Sequence, residues 1–271
     1  MSDRITIKSE SQYLAMKKAG ELTGRTLNYI GTLVREGVTT KELDEAAEEF
    51  IRSHGGVPSF LNYEGYPASI CTSVNEQIVH GIPSKKVRLK DGDIISVDCG
   101  AIIDGFHGDA ARTFFVGSVA EEVRELVRVT EECFFKGLEQ ALPGNHICDI
   151  SRAIEQHAEA HGYGVVRELV GHGIGSHMHE APEVPNYLNR RFGRGARLIP
   201  GMAIAVEPMI TLGERYVDFL DDGWTCVTAD RKPAAHYENT IFITENGPEL
   251  LTLVQADQPA TDPDPEGQPD E

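Results

Sequence analysis

Residues 96–115 read SVDCGAIIDGFHGDAARTFF, two mostly apolar runs meeting at Asp104-Gly105, with Asp98 and Asp109 set among residues otherwise fit for burial. Asp-Gly closes two-residue hairpin loops because the favoured turn needs positive φ at both central positions. Placing Ile103 opposite Phe106 sets the register, so residues whose numbers sum to 209 face one another. Asp109 then lies across from Gly100, and Asp98 sits two residues along on the same face. Diagonal neighbours of this kind have α-carbons roughly 7–8 Å apart, close enough for two short acidic side chains to converge. Two bare carboxylates at one point would repel and lose hydration, so either one holds a proton or a cation sits between them. The plainer reading, one aspartate capping a turn and the other solvated, is the commoner case for a random pair; the rest of the chain has to decide.

Three further segments carry possible partners. GHGIGSHMHEAP (171–182) holds three histidines in a glycine-rich stretch where backbone can approach a ligand closely, although a lone His172 is more often an ordinary core or surface histidine. AIAVEPMI (203–210) places Glu207 in an apolar strand just before Pro208, and AHYENTIFIT (235–244) places Glu238 in another. A charge in each strand is costly unless paired. Asp98, Asp109, His172, Glu207 and Glu238 together offer four carboxylates and one imidazole, enough for two divalent ions that share carboxylates. That mix suits manganese, iron, cobalt or zinc better than calcium or a thiolate metal. Two such ions activate water at neutral pH and stabilise the oxyanion formed when it attacks a carbonyl, which points to hydrolysis.

Composition narrows the class. The 271 residues carry a formal charge of −18, of which six acids and no base lie in the last sixteen residues, so the body has no basic footprint for nucleic acid. That Pro- and Asp-rich tail, 256–271, is expected to be disordered, leaving 1–255 as a single catalytic domain. Five widely spaced cysteines without a CxxC pair argue against a disulfide framework and a thiolate zinc site, and fit a reducing cytosol. The N-terminus has no apolar signal core and no apolar run reaches the ~20 residues of a membrane span, so the expectation is a soluble, cytoplasmic protein. The chain contains no GxSxG, HExxH, GxxxxGK[ST] or GxGxxG motif.

The organisation reads as two halves, about 10–115 and 116–250. A first helix over about 10–35 precedes a capping box at Thr39 and Glu42, followed by an apolar stripe of Leu43, Ala46, Ala47, Phe50 and Ile51 that ends at Gly55-Gly56. Strand-like segments follow. The order then repeats, with Ser118 and Glu121 read as a cap opening a helix through Leu142, a stop at Pro143-Gly144, and a helix ending at Gly162. At an offset of 107, Leu43 aligns with Ile150, Ala46 with Ala153, Glu48 with Glu155, His54 with His161 and Gly55 with Gly162. The expected fold is α+β, each half laying helices on one side of a curved antiparallel sheet, with a cleft where the halves meet. His54 and His161 are assigned to helix ends, where a histidine complements the dipole.

Taken in order and local context, Asp98 in SVDCGA, Asp109 in GFHGDAARTF, His172 in GHGIG, Glu207 in VEPM and Glu238 in HYENT resemble the type I methionine aminopeptidases over about residues 5–252. The resemblance implies the pita-bread fold, two pseudo-symmetric halves around a dimetal site. It implies that Asp98 chelates one ion, that His172 and Glu207 hold the other, and that Asp109 and Glu238 bridge both; the metal would be cobalt, manganese, iron or zinc. Glu207 would also take the proton of the attacking water, His80 would lie near the substrate amine, and His179 would polarise the carbonyl. Tyr63, Tyr66, Cys71 and Trp224 would line the methionine pocket with Met178, while Phe60, Glu64 and Met178 depart from residues common in that family. The absence of a Cys/His-rich extension and of a long insertion before Glu207 resembles the short bacterial form. Nascent polypeptide N-termini are the implied partners, the ribosome a candidate one, and the chain is expected to be a monomer without nucleic-acid or membrane contacts. With Ser2 after Met1, the chain would be a substrate of its own reaction. The rivals are an Xaa-Pro hydrolase of the same fold, which usually carries a further N-terminal domain, and a non-catalytic scaffold, which typically lacks part of the ligand set.

Overall fold

The computed structural model describes residues 4–189 and 193–254. The readings for Met1-Ser2 and for the tail from 256 lie outside them.

Among the described residues four α-helices and fifteen strands form an α+β arrangement. Helix α1, Glu10–Leu33, opens on a capping box between Ser9 and Gln12, and α2, Thr40–Ser53, on the anticipated one between Thr39 and Glu42. Helix α3 spans Glu121–Leu138 and α4 spans Ile147–Ala160. The α3 boundaries differ from expectation. Ser118 does not cap the helix, because its backbone N–H donates to Asp91 Oδ1 at 2.7 Å and the residue is held in the preceding turn. Ala120 takes the N-cap position without a side-chain bond, and the helix stops four residues before Leu142.

The internal repeat is real. Both α2 and α4 have 14 residues, offset by 107 positions, and each ends in a histidine followed by a left-handed glycine, Gly55 at φ 80° and Gly162 at φ 78°. The ring Nδ1 of His54 lies 2.7 Å from Phe50 O, and that of His161 lies 2.9 Å from His157 O. Each imidazole therefore donates to a carbonyl in the last turn of its helix.

The main sheet has nine strands, all paired antiparallel. Its order runs Val57–Pro58, Ile94–Ile103, Phe106–Phe115, Glu238–Thr244, Ala203–Val206, Gly171–Gly173 and Glu180–Val184, with Ile70–Val74 on the second of these and Gly247–Leu250 on the fourth. The Phe106–Phe115 and Glu238–Thr244 strands join the two halves through Ala111 and Ala110, which face Glu238 and Asn239. Each half has its own apolar core: Leu43, Ile51, Ile95 and Val97 belong to the first, Leu126, Phe134, Ile150 and Ile204 to the second.

The quoted hairpin folds in the expected register, Ile103 opposite Phe106 and Asp109 opposite Gly100, with Asp104 and Gly105 both at positive φ. Val97, Cys99, Ala101 and Ala110 turn toward the helices, whereas Asp98 and Asp109 occupy the opposite, concave face. Helix α1 crosses the back of the hairpin so closely that a Cβ on Gly108 would fall 2.7 Å from the Gly20 Cα. A core hairpin thus carries acids because only one of its faces packs on helices.

Candidate metal centre

The concave face gathers all five anticipated donors. His172 Nε2 lies 3.8 Å from Asp109 Oδ2 and 3.7 Å from Glu207 Oε1. Ligand atoms of Asp109, His172 and Glu238 fall within 4.8 Å of one another. Asp98 Oδ1, Asp109 Oδ1 and Glu238 Oε1 are buried without a hydrogen-bond partner, although buried polar atoms are nearly always paired. Four carboxylates and an imidazole with orphaned oxygens turned inward fit a cation.

Each donor has a structural reason for its place. Asp109 N donates to Thr240 Oγ1 at 3.0 Å, and that hydroxyl donates back to Asp109 O at 2.9 Å, so one threonine clamps the ligand's backbone to the other half. Glu207 was read as part of a strand, but the strand ends at Val206 and resumes at Met209. Pro208 has no N–H to continue a ladder, and Asn186 Nδ2 donates to Glu207 O at 2.9 Å. His172 Nδ1 donates to Gly173 O at 2.8 Å, which sets the tautomer and leaves the Nε2 lone pair facing the acids. The glycines around it serve packing and not ligand approach: a Cβ on Gly171 would meet Ala205 O at 2.4 Å and one on Gly173 would meet Ala181 O at 2.2 Å.

Burial raises the Asp98 carboxyl to about 7. Burial first, then the neighbouring negative charges, pushes Asp109, Glu207 and Glu238 well above the usual carboxylate range. Burial also lowers His172 to about 3 and His80 to about 4, so both imidazoles are neutral. Neutral imidazole is the form that ligates metal.

Beside the acids lies a cavity of about 140 Å3 whose lining includes every expected site residue: the five donors, His80, His179, Tyr63, Tyr66, Cys71, Met178 and Trp224. The anticipated aromatic slot packs as a cluster in which Tyr66, Cys71 and Met178 are buried and Tyr63 and Trp224 lie against them. The Tyr66 ring meets Trp224 edge-on at 5.0 Å, and its hydroxyl donates to Ile70 O and Gly81 O, which ties this wall to the backbone. His179 stands edge-on to His172 with ring centroids 4.3 Å apart. His80 adopts φ 60°, a left-handed backbone that a non-glycine residue keeps only where its surroundings enforce it.

Phe60 and Glu64, the two positions noted beside Met178 as departures from the family pattern, also line the cavity, Glu64 at φ 49°. One feature escaped the sequence. His236 points at the acids as well, its Nε2 3.9 Å from Glu207 Oε2 and 3.8 Å from Glu238 Oε2. The available signal was period two, which puts residues 236 and 238 on one face of an extended segment.

A buried acid and imidazole set at the seam of two repeated halves defines a metal-dependent hydrolase. The chain belongs to metallopeptidase family M24, whose pattern matches residues 15–245. It is 55% identical over 251 residues to a protein named methionine aminopeptidase from Clostridium perfringens, covering 93% of this chain and 100% of that one. It is 47% identical over 250 residues to methionine aminopeptidase 1 of Bacillus subtilis, covering 92% of this chain and 100% of the relative. The crystal structure of methionine aminopeptidase from Rickettsia prowazekii superposes with a TM-score of 0.89 at 42% identity, covering 92% of this chain and 100% of that one. These matches establish the pita-bread fold, and membership of the family makes divalent metal ions its cofactors.

Proposed function

We infer that this chain removes the N-terminal methionine from peptides and nascent proteins with a small second residue. The observation that carries this is the junction of a buried acid and imidazole set with an apolar slot in one cavity. At about 140 Å3 the cavity is smaller than the ~300–1,000 Å3 typical of drug-sized ligands, which suits one side chain of the substrate and not a longer segment. A flexible thioether packs well against the edges of Tyr66 and Trp224.

Two divalent ions are the proposed cofactors, cobalt, manganese, iron or zinc. Asp98 would hold one, His172 and Glu207 the other, and Asp109 and Glu238 both. When bound, they supply an activated water at neutral pH and positive charge for the oxyanion. The protein's own groups do the rest. Glu207 takes the proton released as water attacks the first peptide bond. His179 is turned by Tyr63, whose hydroxyl lies 2.8 Å from Nδ1, so that the other nitrogen carries the proton and donates to the carbonyl oxygen. His80, 6.5 Å from the Trp224 ring, marks the end of the slot where the amine sits.

Among the described residues no helix is long and apolar enough to cross a membrane, and all five cysteines are free and buried. Work as a monomer in the cytoplasm on chains leaving the ribosome is part of the proposal, and the free cysteines fit a reducing compartment.

The test is release of methionine from Met-Ala-Ser by chelator-stripped protein, with manganese, cobalt, iron and zinc restored separately and an Ala-Pro peptide as control. Metal-dependent release is expected. Turnover of Ala-Pro alone would replace this reading with the Xaa-Pro one, and inertness of a folded, metal-loaded protein toward both would indicate a scaffold.

A further inference from the structure

We propose that His236 is a sixth donor at the metal centre, placed on the Asp98 and Glu238 side as His172 is placed on the Asp109 and Glu207 side. The inference rests on the reading of the site as a metal centre and adds a ligand that the five-residue set does not contain.

The two imidazoles stand in matching relation to the acids. His172 Nε2 keeps 3.7 and 3.8 Å from its two nearest carboxylate oxygens, and His236 Nε2 keeps 3.8 and 3.9 Å from Glu238 Oε2 and Glu207 Oε2. These separations exceed a hydrogen bond, whereas atoms bound ~2.0–2.2 Å from a shared ion stand roughly 3–4 Å apart. Ligand atoms of Asp98, His236 and Glu238 also fall within 4.8 Å of one another.

Both ring nitrogens of His236 lack a partner although the residue is only 1% exposed. A purely structural histidine in a core is expected to spend at least one ring nitrogen on a hydrogen bond. Nor is the ring there by default of backbone order. Thr113 Oγ1 accepts from His236 N at 3.1 Å and donates to His236 O at 2.9 Å. This is the same two-way threonine clamp that Thr240 applies to Asp109, an expected ligand. Thr113 is itself tied to Ser96 at 2.8 Å, two residues before Asp98. The first half thus holds His236 in place just as the second half holds Asp109.

With Nδ1 unpartnered, no protein group chooses the tautomer of His236 in the metal-free protein; a cation on Nε2 would. The test uses the full-length protein labelled with 15N-histidine, stripped by chelator and titrated with zinc while ring nitrogens are followed by NMR. Two imidazoles with metal-shifted nitrogens are expected, one missing in His172→Gln and the other in His236→Gln, with zinc affinity of His236→Gln lowered about tenfold or more. The wild-type count does not depend on how a variant folds. A single coordinated ring, lost in His172→Gln and kept in His236→Gln, would overturn the inference and leave the metal centre intact. So would a second ring that survives in His236→Gln, or weaker affinity with no change in the count. Wild-type protein that binds no zinc, manganese or cobalt would overturn the metal centre and the inference together.

Discussion

The hydroxyl of Tyr63 lies 2.8 Å from Nδ1 of His179, with the two rings edge-on at 5.2 Å. Burial holds His179 below its usual pKa, so the neutral ring needs a donor at Nδ1 if Nε2 is to carry the proton. Tyr63 is placed to be that donor. Tyr63→Phe is therefore expected to lower kcat about tenfold with little change in KM, because ring orientation matters most as negative charge develops on the carbonyl oxygen. Steady-state kinetics on Met-Ala-Ser decide it; an unchanged kcat would remove Tyr63 from the mechanism.

His179 and Asp109 should separate by metal content. His179→Ala is expected to keep bound metal and lose about 10²–10³-fold in kcat, the usual effect of removing one oxyanion donor. Asp109→Ala removes a proposed bridge and should impair binding of both ions. Metal analysis after dialysis, read beside kcat, distinguishes the two, and equal metal loss in both variants would contradict the assigned roles.

Metal-free protein should become less stable as pH rises. The Asp98 carboxyl is raised from 3.8 to about 7 by burial, and Asp109, Glu207 and Glu238 are raised too. The folded state then binds protons that the unfolded chain has released, and stability falls with pH between the two pKa values. Chelated protein is expected to lose Tm from about pH 4 to about pH 7, while the gain in Tm on adding manganese grows across the same interval. A Tm of the chelated form that climbs over this range would show that the acids are not buried as described.

Gly20 tests how tightly α1 sits. A Cβ there would lie 2.4 Å from Leu251 O, and Leu251 N is bonded to Thr240 O at 2.9 Å, so the carbonyl is not free to retreat. Gly to Ala inside a helix ordinarily stabilises by ~1 kcal/mol, whereas overpacking costs ~1–3 kcal/mol. The clash should win. Gly20→Ala is expected to lower Tm by a few degrees in thermal unfolding, and a higher Tm would mean that α1 can shift outward.

What could be read from the chain follows the range of the forces involved. The Asp104-Gly105 turn, the Thr39 and Glu42 cap and the 107-residue repeat are local, and each depends on a few neighbouring residues whose chemistry admits one conformation. Four of the five donors, the acids, were visible for the same reason, as charges in segments that the local pattern marks for burial. Ser118 misled because its partner, Asp91, is distant in sequence, and the same holds for Gly171, which answers to Ala205. Nothing in the local pattern set His236 apart. That its ring reaches Glu207 and makes no hydrogen bond depends on strands brought together across the seam of the two halves, a long-range packing outcome that no local pattern encodes. The sequence by itself determined the turn, the Thr39 and Glu42 cap and five candidate donors; the tertiary structure alone decided which of those groups share one point in space, since convergence requires the burial of both halves against each other.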